Sequence, residues 1–440
     1  MISCKVYVEV NDMVKEEHSF LENEFEHQPV PEQRRKSLLS VSLVWIGFPM
    51  VITGALVGGS IVSALGFRTG ILAMLLGNLI LFAYVGMQSS IAAKTGMSFA
   101  LVATRVFGPK GYRVTSGLLS TIVIGWFAVQ TGLTGASLHS SLGTSVFWID
   151  ILAGILFMGI TIIGVRALSV IGALSVPFFL ILGLYAVNIA LTHTTWSQIF
   201  QFAGHPANGI SFGLAVTMVI ALFIDSGTMT PDFTRWAKSP RDAVIATFTA
   251  FPFANFMSMF FGAVVTAAGA SSNGDFSAII ARLGPVGGLI AAAFLFVNSG
   301  SVCSHCLYNA AVGWSQILGK KLRWMAFVLG IVGISAAAAG MWNLLATWLS
   351  FLGVIVPGIG GTIIGHFTMF KNSDVTVPKI AFASWGAGAA SSLLAHIVAP
   401  GLSDAVIGMV VAFGVYVLVA PQFAASRAIA PRMTIEEDLS

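Results

Sequence analysis

Runs of about 20 predominantly apolar residues recur along the chain between residues 38 and 424, and only short loops separate them. A run of this length crosses the hydrocarbon core of a bilayer as an α-helix, whereas the strands of a membrane barrel alternate apolar and polar side chains over about 10 residues. Only 9% of the residues are charged, against about 25% in soluble domains. The sequence therefore predicts an all-α integral membrane protein with about 12 transmembrane helices.

We place these helices at the following ranges: 38–64, 69–93, 113–139, 146–165, 168–192, 211–234, 243–270, 285–316, 323–341, 343–369, 378–399 and 403–424. Lysine and arginine concentrate in every second loop, and the loops on the other side hold little beyond Arg68 and Arg282. Because basic loops stay in the cytoplasm, both termini are predicted to be cytoplasmic, with polar tails at residues 1–37 and 425–440. The expected location is the inner (plasma) membrane. The net charge of +4 comes from these loop residues, so it supports the topology and gives no support for nucleic-acid binding.

Three local patterns predict structure around the spans. Gly54 and Gly58 lie one helical turn apart, which allows another helix to approach closely. Residues 95–108 are too few to cross the membrane and are predicted to form an amphipathic helix on the cytoplasmic surface. Asp232 and Arg235 have the spacing of a local ion pair on one helix face.

The cysteines are few and do not form a disulfide framework: Cys4, Cys303 and Cys306. The stretch "CSHC" at residues 303–306 looks like a metal motif. On a helix, however, His305 lies about 100° from Cys306 and about 200° from Cys303, so the three side chains cannot converge on one ion. The two thiols are interpreted as small buried side chains, and no cofactor is expected.

Two spans are interrupted by helix-breaking residues. Gly47 and Pro49 lie inside the first span, and Gly227 and Pro231 lie inside the sixth. Broken helices at matching positions of two inverted repeats are typical of secondary transporters, which bind their ligand between them. The predicted division is a first five-helix repeat at 38–192, a second at 211–369, and helices 11 and 12 at 378–424.

Four side chains are predicted to reach the site between the two breaks. Trp126 lies near the middle of the third span, Phe223 and Asp225 lie at the break in the sixth, and Asn298 lies in the eighth. A polar stripe on the eighth span at three- and four-residue spacing should face the bundle interior: Asn298, Ser301, Val302, His305 and Asn309. Aromatic faces with an amide and a carboxylate suit a planar heterocycle with polar edges.

Several motifs in order carry a resemblance to a known family: "PVPEQRRKSLLSVSLVWIG" (29–47), "LLGNLIL" (75–81), "AAKTGMSF" (92–99), "RVFGPKG" (105–111), "GWF" (125–127), "SGTMTPDFTRW" (226–236), "LYNAAVGWSQILG" (307–319) and "FLGVIVPGIGGTIIG" (351–365). Over nearly its whole length the chain resembles the cytosine permease branch of the nucleobase–cation symporter-1 family. The resemblance implies a LeuT-type fold, with two inverted five-helix repeats (5+5) and two further helices. It also implies import of nucleobases and related compounds, coupled to Na⁺ or H⁺.

The resemblance also implies roles for particular residues. Trp126 matches the tryptophan that stacks on the substrate, Phe223 the aromatic that faces it, and Asn298 an asparagine that hydrogen-bonds the base. A possible Na⁺ site is implied at these positions: Gly47, Met50, Asn298 and Ser301.

This chain departs from the family pattern in three ways. Val302 replaces a hydroxyl ligand of the Na⁺ site, the first-span aromatic near the substrate is replaced around Met50 and Val51, and Asp225 stands where cytosine permease has a serine. Three roles are open for Asp225: capping the broken helix, reading an amino-substituted ring, or carrying a proton, because intramembrane carboxylates usually serve a pathway. We favour recognition, with proton coupling second. His305 is a candidate relay partner, although an interior hydrogen-bonded histidine is the simpler interpretation.

The sequence thus predicts a secondary active transporter that imports a nucleobase or related planar heterocycle, such as cytosine, a purine or an aminopyrimidine. The partners it implies are this small molecule and the lipid bilayer, with no obligatory protein partner. The alternative is an amine or amino-acid permease on the same fold, in which Asp225 would repel a carboxylate. We find no sequence motif of an enzyme. A channel or receptor would not require paired breaks five spans apart.

Overall fold

The computed structural model describes residues 23–205, 209–371 and 375–429, and the regular elements in these ranges are helices. Cys4 and most of the two predicted tails lie outside the described residues. The α-helices are α1 Leu38–Ile46, α2 Ile52–Leu65, α3 Phe67–Thr95, α4 Phe99–Leu142, α5 Val146–Ile163, α6 Val165–Leu191, α7 Trp196–Gln201, α8 Phe212–Ala221, α9 Ile224–Thr228, α10 Pro231–Thr234, α11 Pro240–Phe248, α12 Phe256–Ala267, α13 Ser277–Ala281, α14 Pro285–Leu318, α15 Leu322–Ala338, α16 Leu345–Ile355, α17 Pro357–Met369, α18 Pro378–Val398 and α19 Asp404–Ile429.

The described helices confirm an all-α membrane protein. Within these residues, nine helical stretches are long and apolar enough to cross a bilayer, and three shorter apolar helices accompany them, namely α2, α8 and α15. Each predicted span overlaps one helix or a run of consecutive helices. The number of crossings and the inverted symmetry of the two predicted repeats, 38–192 and 211–369, stay predictions.

The first predicted break is present between α1 and α2. Helix α1 ends at Ile46, and the chain turns to extended backbone at Val51 (φ −129°, ψ 150°) before α2 begins. Pro49 has no N–H to continue the helical ladder, which explains the interruption. At Gly47 the backbone lies directly against Gly172 of α6, so a side chain there would collide with that helix.

The second predicted break is present between α8 and α10. Helix α8 ends at Ala221, Phe223 leaves the helical region (φ −138°, ψ 13°), and the short helix α9 follows. Pro231 then occupies the first turn of α10, where its missing N–H costs nothing. Tyr84 of α3 holds α9 in place, because its hydroxyl lies 2.6 Å from the hydroxyl of Thr228.

The predicted surface helix at 95–108 is a helix, but its predicted position is wrong. Residues 99–107 form the first part of α4, which bends at Gly108 (φ 79°) and continues to Leu142. Arg105 is exposed, whereas Phe99 and Phe107 are buried. Apolar residues on several faces of this segment draw it into the protein, where Phe107 packs edge-on against Phe382 of α18.

The predicted close helix approach at Gly54 and Gly58 is confirmed. A side chain at Gly54 would collide with the Ser258 hydroxyl, and one at Gly58 would collide with the Met259 backbone of α12. Helix α2, which follows the first break, is therefore packed tightly against α12.

Candidate substrate and ion site

The four predicted substrate residues are all buried in the interior of the bundle. The exposed fractions are 3% for Trp126 on α4, 3% for Phe223 in the second break, 0% for Asp225 on α9 and 1% for Asn298 on α14. These residues come from separate helical segments. The second break places Phe223 and Asp225 in the interior, and the backbone of the first break lies against Asn298.

Asp225 and Trp126 lie side by side in this interior. One carboxylate oxygen of Asp225, Oδ1, accepts a hydrogen bond from the backbone N–H of Ser226 at 2.7 Å. The other oxygen, Oδ2, and the indole Nε1 of Trp126 are both buried and lack a partner of good geometry among the described residues. The carboxylate and the indole N–H therefore lie within reach of each other but do not form a well-aligned hydrogen bond, so a bound molecule that donates to Asp225 and accepts from Trp126 would satisfy both groups better.

Phe223 belongs to a group of aromatic rings at the breaks. Its ring meets Phe48 edge-on, with centroids 5.3 Å apart at 74°, and lies 6.1 Å from Phe251. Among the described residues it makes no ring contact with Trp126. Phe48 itself stacks on His305 at 5.1 Å. Phe223 is thus held by protein rings on one side.

The amide of Asn298 is bonded to the first break. Its Nδ2 donates to the Met50 carbonyl oxygen at 2.6 Å and to the Ser175 hydroxyl at 3.1 Å, and its Oδ1 accepts from the Ile52 N–H at 3.0 Å. A side-chain amide has two N–H donors and one carbonyl oxygen, so both donors are already used. Asn298 can bind a substrate only through the remaining lone pair of Oδ1 or by exchanging one of these bonds.

The residues of the predicted ion site are brought together, but they form a partial set of ligands. Ser301 donates to the Gly47 carbonyl oxygen at 2.7 Å, and Met50 accepts from Asn298. Two backbone carbonyl oxygens and one hydroxyl therefore lie close to one another. Val302 is buried on the same helix and adds no oxygen. Since hard cations take several oxygen ligands, these residues fit a Na⁺ ion less well than a site with a second hydroxyl.

Two polar residues of this region were missed by the sequence analysis. Gln130 follows Trp126 by one turn on α4, and its Oε1 accepts a hydrogen bond from the Thr53 hydroxyl at 2.6 Å. Both side chains are buried. The available signal was the spacing, because a glutamine four residues after Trp126 in an apolar helix faces the same way. Gln130 therefore joins α4 to the start of α2 beside the candidate site.

The structure supports the simpler interpretation of His305. Its Nδ1 lies 2.6 Å from the Ser301 carbonyl oxygen, and because a carbonyl only accepts, Nδ1 carries the proton of that bond. Cys303 and Cys306 are buried free thiols, and Cys303 lies 3.7 Å from the Phe127 carbonyl oxygen.

The predicted ion pair between Asp232 and Arg235 is wrong. The Asp232 carboxylate accepts the N–H of Phe99 at 2.8 Å, and the Arg235 guanidinium donates to the backbone carbonyls of Asp232, Phe25 and Glu24. Arginine offers a fork of five N–H donors, which suits several carbonyls at once. The spacing along the sequence did not reveal that residues before the first helix would fold back over Arg235.

Residues 24–36, which we call the inner strap, cover the predicted cytoplasmic side of the site. The Glu24 carboxylate accepts from the Tyr308 hydroxyl at 2.8 Å and from the Val165 N–H at 3.1 Å, and Arg235 donates to the Glu24 carbonyl at 2.9 Å. Burial raises the pKa of Glu24, while the bonds from Tyr308 and Val165 and the charge of Arg235 oppose the rise. The strap thus closes one side of the bundle.

A cavity of about 570 Å³ opens on the opposite side, between α2, α8, α16 and the facing ends of α18 and α19. We call it the vestibule and define it by the side chains that line it, among them Leu133, Trp342, Asn343, His396 and Asp404. The vestibule and the inner strap therefore lie on opposite sides of the two breaks.

The sequence profile of one family, described as "Permease for cytosine/purines, uracil, thiamine, allantoin", matches residues 29–377. The chain belongs to this family. A cytosine permease of Escherichia coli is 30% identical over 350 residues, which cover 79% of this chain and 82% of that protein. Residues 29–377 include both breaks and every predicted site residue of the present protein. Its candidate site therefore lies within the part of the chain that the family shares.

Two solved structures share the fold. A nucleobase–cation symport-1 family transporter in a closed conformation with bromovinylhydantoin bound has a TM-score of 0.77 at 18% identity, over 93% of this chain and 97% of that one. A Na⁺-coupled sialic acid symporter in a substrate-bound outward-open state has a TM-score of 0.69 at 15% identity, over 93% and 94%. At these identities the likeness concerns the fold, which is the LeuT-type fold. The permease is therefore a multi-pass membrane protein.

Proposed function

We propose that this permease is a secondary active transporter that imports a nucleobase or a related planar heterocycle, coupled to a cation, by alternating access. The observation that carries the proposal is the buried, adjacent pair of the Asp225 carboxylate and the Trp126 indole N–H, which lies between two broken helices. Such breaks are tolerated in a membrane protein only where they are buried in protein or line a cavity.

The geometry favours an amino-substituted ring as the substrate. In cytosine and adenine an exocyclic amino group lies next to a ring nitrogen that accepts a hydrogen bond. The carboxylate oxygen of Asp225 would accept from the amino group, and the indole N–H of Trp126 would donate to the ring nitrogen. Phe223 would contact the face of the ring. A keto base such as uracil can donate to Asp225 only through a ring N–H, because its exocyclic oxygens are acceptors.

The alternative, an amine or amino-acid permease, is less well supported. A free amino acid carries a carboxylate, which Asp225 would repel in a dry site. A simple amine would leave the Trp126 N–H without an acceptor. The relatives that the chain matches are also named as permeases of nucleobases.

We propose further that the state described here is open to the outside. The vestibule is the route of entry and the inner strap is the closed cytoplasmic side. This proposal places the protein in the plasma membrane with both termini in the cytoplasm, as the basic loops predict. Exit of the substrate would then require release of the strap.

For the coupling ion we favour protons over Na⁺. Val302 removes one hydroxyl from the ion site, and Asp225 supplies a buried carboxyl group that can bind and release a proton.

Counterflow in proteoliposomes tests the proposed function. Vesicles loaded with unlabelled cytosine or adenine should accumulate the labelled base transiently, and Trp126→Ala vesicles should not. Trp324→Ala is the matched control, since that side chain is 57% exposed and outside the site. Conductance without exchange would instead indicate a channel, and exchange of amino acids but not bases would favour the alternative permease.

A further inference from the structure

The vestibule contains a group of hydrogen-bonded polar side chains that is not part of the proposed central site. His396, in the last turn of α18, has Nδ1 2.8 Å from Oδ2 of Asp404 at the start of α19. The other oxygen of Asp404 accepts from the Thr217 hydroxyl of α8 at 2.6 Å and from the Ala405 N–H at 2.7 Å. The Asp404 carboxylate is therefore fully engaged, and it fixes the orientation of the His396 ring.

This orientation leaves one nitrogen of His396 for a ligand. The Nδ1 proton is directed to Asp404, so in the neutral ring Nε2 is an acceptor. The His396 side chain is 40% exposed and lines the vestibule. A carboxylate behind Nδ1 makes the ring a stronger acceptor at Nε2, as it does for histidines that bind metals.

The remaining wall indicates the chemical class of the ligand. Apolar side chains dominate it, and Trp342 presents an aromatic surface whose base is fixed against Gly132 of α4. His396 and Asp404 are the ionisable residues among the side chains that line it. Because the wall holds a carboxylate and no lysine or arginine, it suits a neutral N–H-bearing ring and disfavours an anion.

The vestibule is separate from the central site. It reaches inward to Leu133 of α4 and Ala221 of α8, and Trp126, Asp225 and Asn298 do not line it. A volume of about 570 Å³ falls within the usual range for small-molecule pockets, about 300–1,000 Å³. The profile match also ends at residue 377, before α18 and α19 supply His396 and Asp404.

We propose that the vestibule is a second binding site for planar N–H-bearing heterocycles of the transported class. A ring N–H donates to Nε2 of His396 while the ring lies against Trp342, and the molecule then moves inward between α2 and α8. This inference rests on the proposed function, since it takes its ligand class from the central site.

Equilibrium binding to the purified full-length protein tests the inference, with radiolabelled cytosine and adenine as probes. Wild type should bind two molecules per transporter, and Trp126→Ala should keep the one in the vestibule. The variant His396→Asn is chosen because its amide can still donate to Asp404 but has no atom in the place of Nε2. It should lose only the vestibule molecule, with affinity for it falling about tenfold or more. His193→Asn, at an exposed histidine outside the vestibule, should behave as wild type.

The outcomes separate the two proposals. One bound molecule in wild type, lost in Trp126→Ala and kept in His396→Asn, overturns the vestibule site and leaves the proposed function intact. One molecule lost only in His396→Asn supports the vestibule site and removes the proposed central site. Two molecules retained in His396→Asn overturn the role of that residue.

A thiol-protection measurement keeps the test valid if a variant folds poorly. In a Cys4→Ser, Trp126→Ala background, Asn343→Cys should react with an impermeant thiol reagent, and saturating base should slow the reaction. Leu402→Cys, which is 59% exposed and outside the lining, should react at an unchanged rate. Equal rates at Asn343→Cys with and without base overturn the proposal.

Discussion

The side-chain amide of Asn298 donates to the carbonyl oxygen of Met50 at 2.6 Å, across the point where the first broken helix loses its own hydrogen bonds. The same amide accepts from Ile52 where helix α2 begins. One residue of α14 therefore satisfies a backbone acceptor on one side of the break and a backbone donor on the other. This makes Asn298 a structural part of the break, whatever contact it makes with substrate.

Replacing Asn298 by alanine should destabilise the protein. The variant leaves the Met50 carbonyl and the Ile52 N–H buried without their partner, at a cost of about 1–3 kcal/mol for each such group. We expect a clearly lower melting temperature in a thermal-shift measurement. Asn188→Ala, on the exposed side of α6, is the matched control and should melt like wild type. An unchanged melting temperature in Asn298→Ala would show that the break does not depend on this amide.

Trp126→Ala should abolish uptake of the base while the protein still inserts in the membrane. Stacking of a base on an aromatic side chain is worth about 1–3 kcal/mol, and the variant also loses the indole N–H next to Asp225. Uptake and base binding are measured together with surface abundance. Wild-type affinity in Trp126→Ala would place the substrate elsewhere.

Asp225→Asn should separate the three roles of this carboxylate. The amide oxygen can still accept the Ser226 N–H, but the group that faces Trp126 becomes a donor and no longer titrates. We expect selective loss of amino-substituted bases, by about 1.5–3 kcal/mol, with keto bases less affected.

Two other results with Asp225→Asn have distinct meanings. Loss of pH-driven accumulation with intact binding and exchange would assign proton coupling to the carboxyl group. Unchanged affinity, selectivity and accumulation would leave only a capping role, since Asn and Asp cap helices comparably. Binding across a panel of bases and uptake across pH distinguish the three.

Uptake by wild type should depend on pH more than on Na⁺, and Val302→Thr should increase the stimulation by Na⁺. The added hydroxyl lies next to Ser301, which already bonds the Gly47 carbonyl. Val312→Thr, at a buried valine further along α14, controls for the general effect of a hydroxyl in this helix. Strong, saturable Na⁺ stimulation of the wild type would show that the carbonyls and Ser301 suffice.

Docking of the inner strap should weaken as pH rises. Burial raises the pKa of Glu24 above its ordinary value, so the docked strap binds protons more readily than the released strap. Docking is therefore strongest at a pH below the ordinary carboxyl pKa. It weakens as the pH rises through the raised pKa that Glu24 has in the docked strap. Hydrogen exchange of residues 24–36, corrected for the intrinsic effect of pH, should show less protection at high pH.

Glu24→Gln should remove this pH dependence, because glutamine is always neutral. Glu32→Gln, at an exposed glutamate of the same strap, should leave the dependence as it is in wild type. Equal protection of the wild-type strap at pH 5 and pH 8 would contradict the assignment to Glu24.

The sequence by itself determined the class of the protein and the places where its helices break. Apolar runs of membrane-spanning length and few charges leave little choice but helices, because a bilayer offers no water to an unpaired backbone. Pro49 and Pro231 act locally, since each removes a backbone donor at its own position. For these reasons both breaks, and the close approach at Gly58, could be predicted from the residues alone.

Only the tertiary structure decided which groups meet. Asn298 reaches Met50 across 248 positions of sequence. Arg235 donates to carbonyls of the strap and not to the Asp232 carboxylate, so no local spacing could predict either contact. The helix at 99–107 is buried rather than at the surface, because its position depends on the partners available to several apolar faces. The vestibule arises in the same way. His396, Asp404 and Thr217 come from three helices, and their hydrogen bonds exist only once those helices are packed.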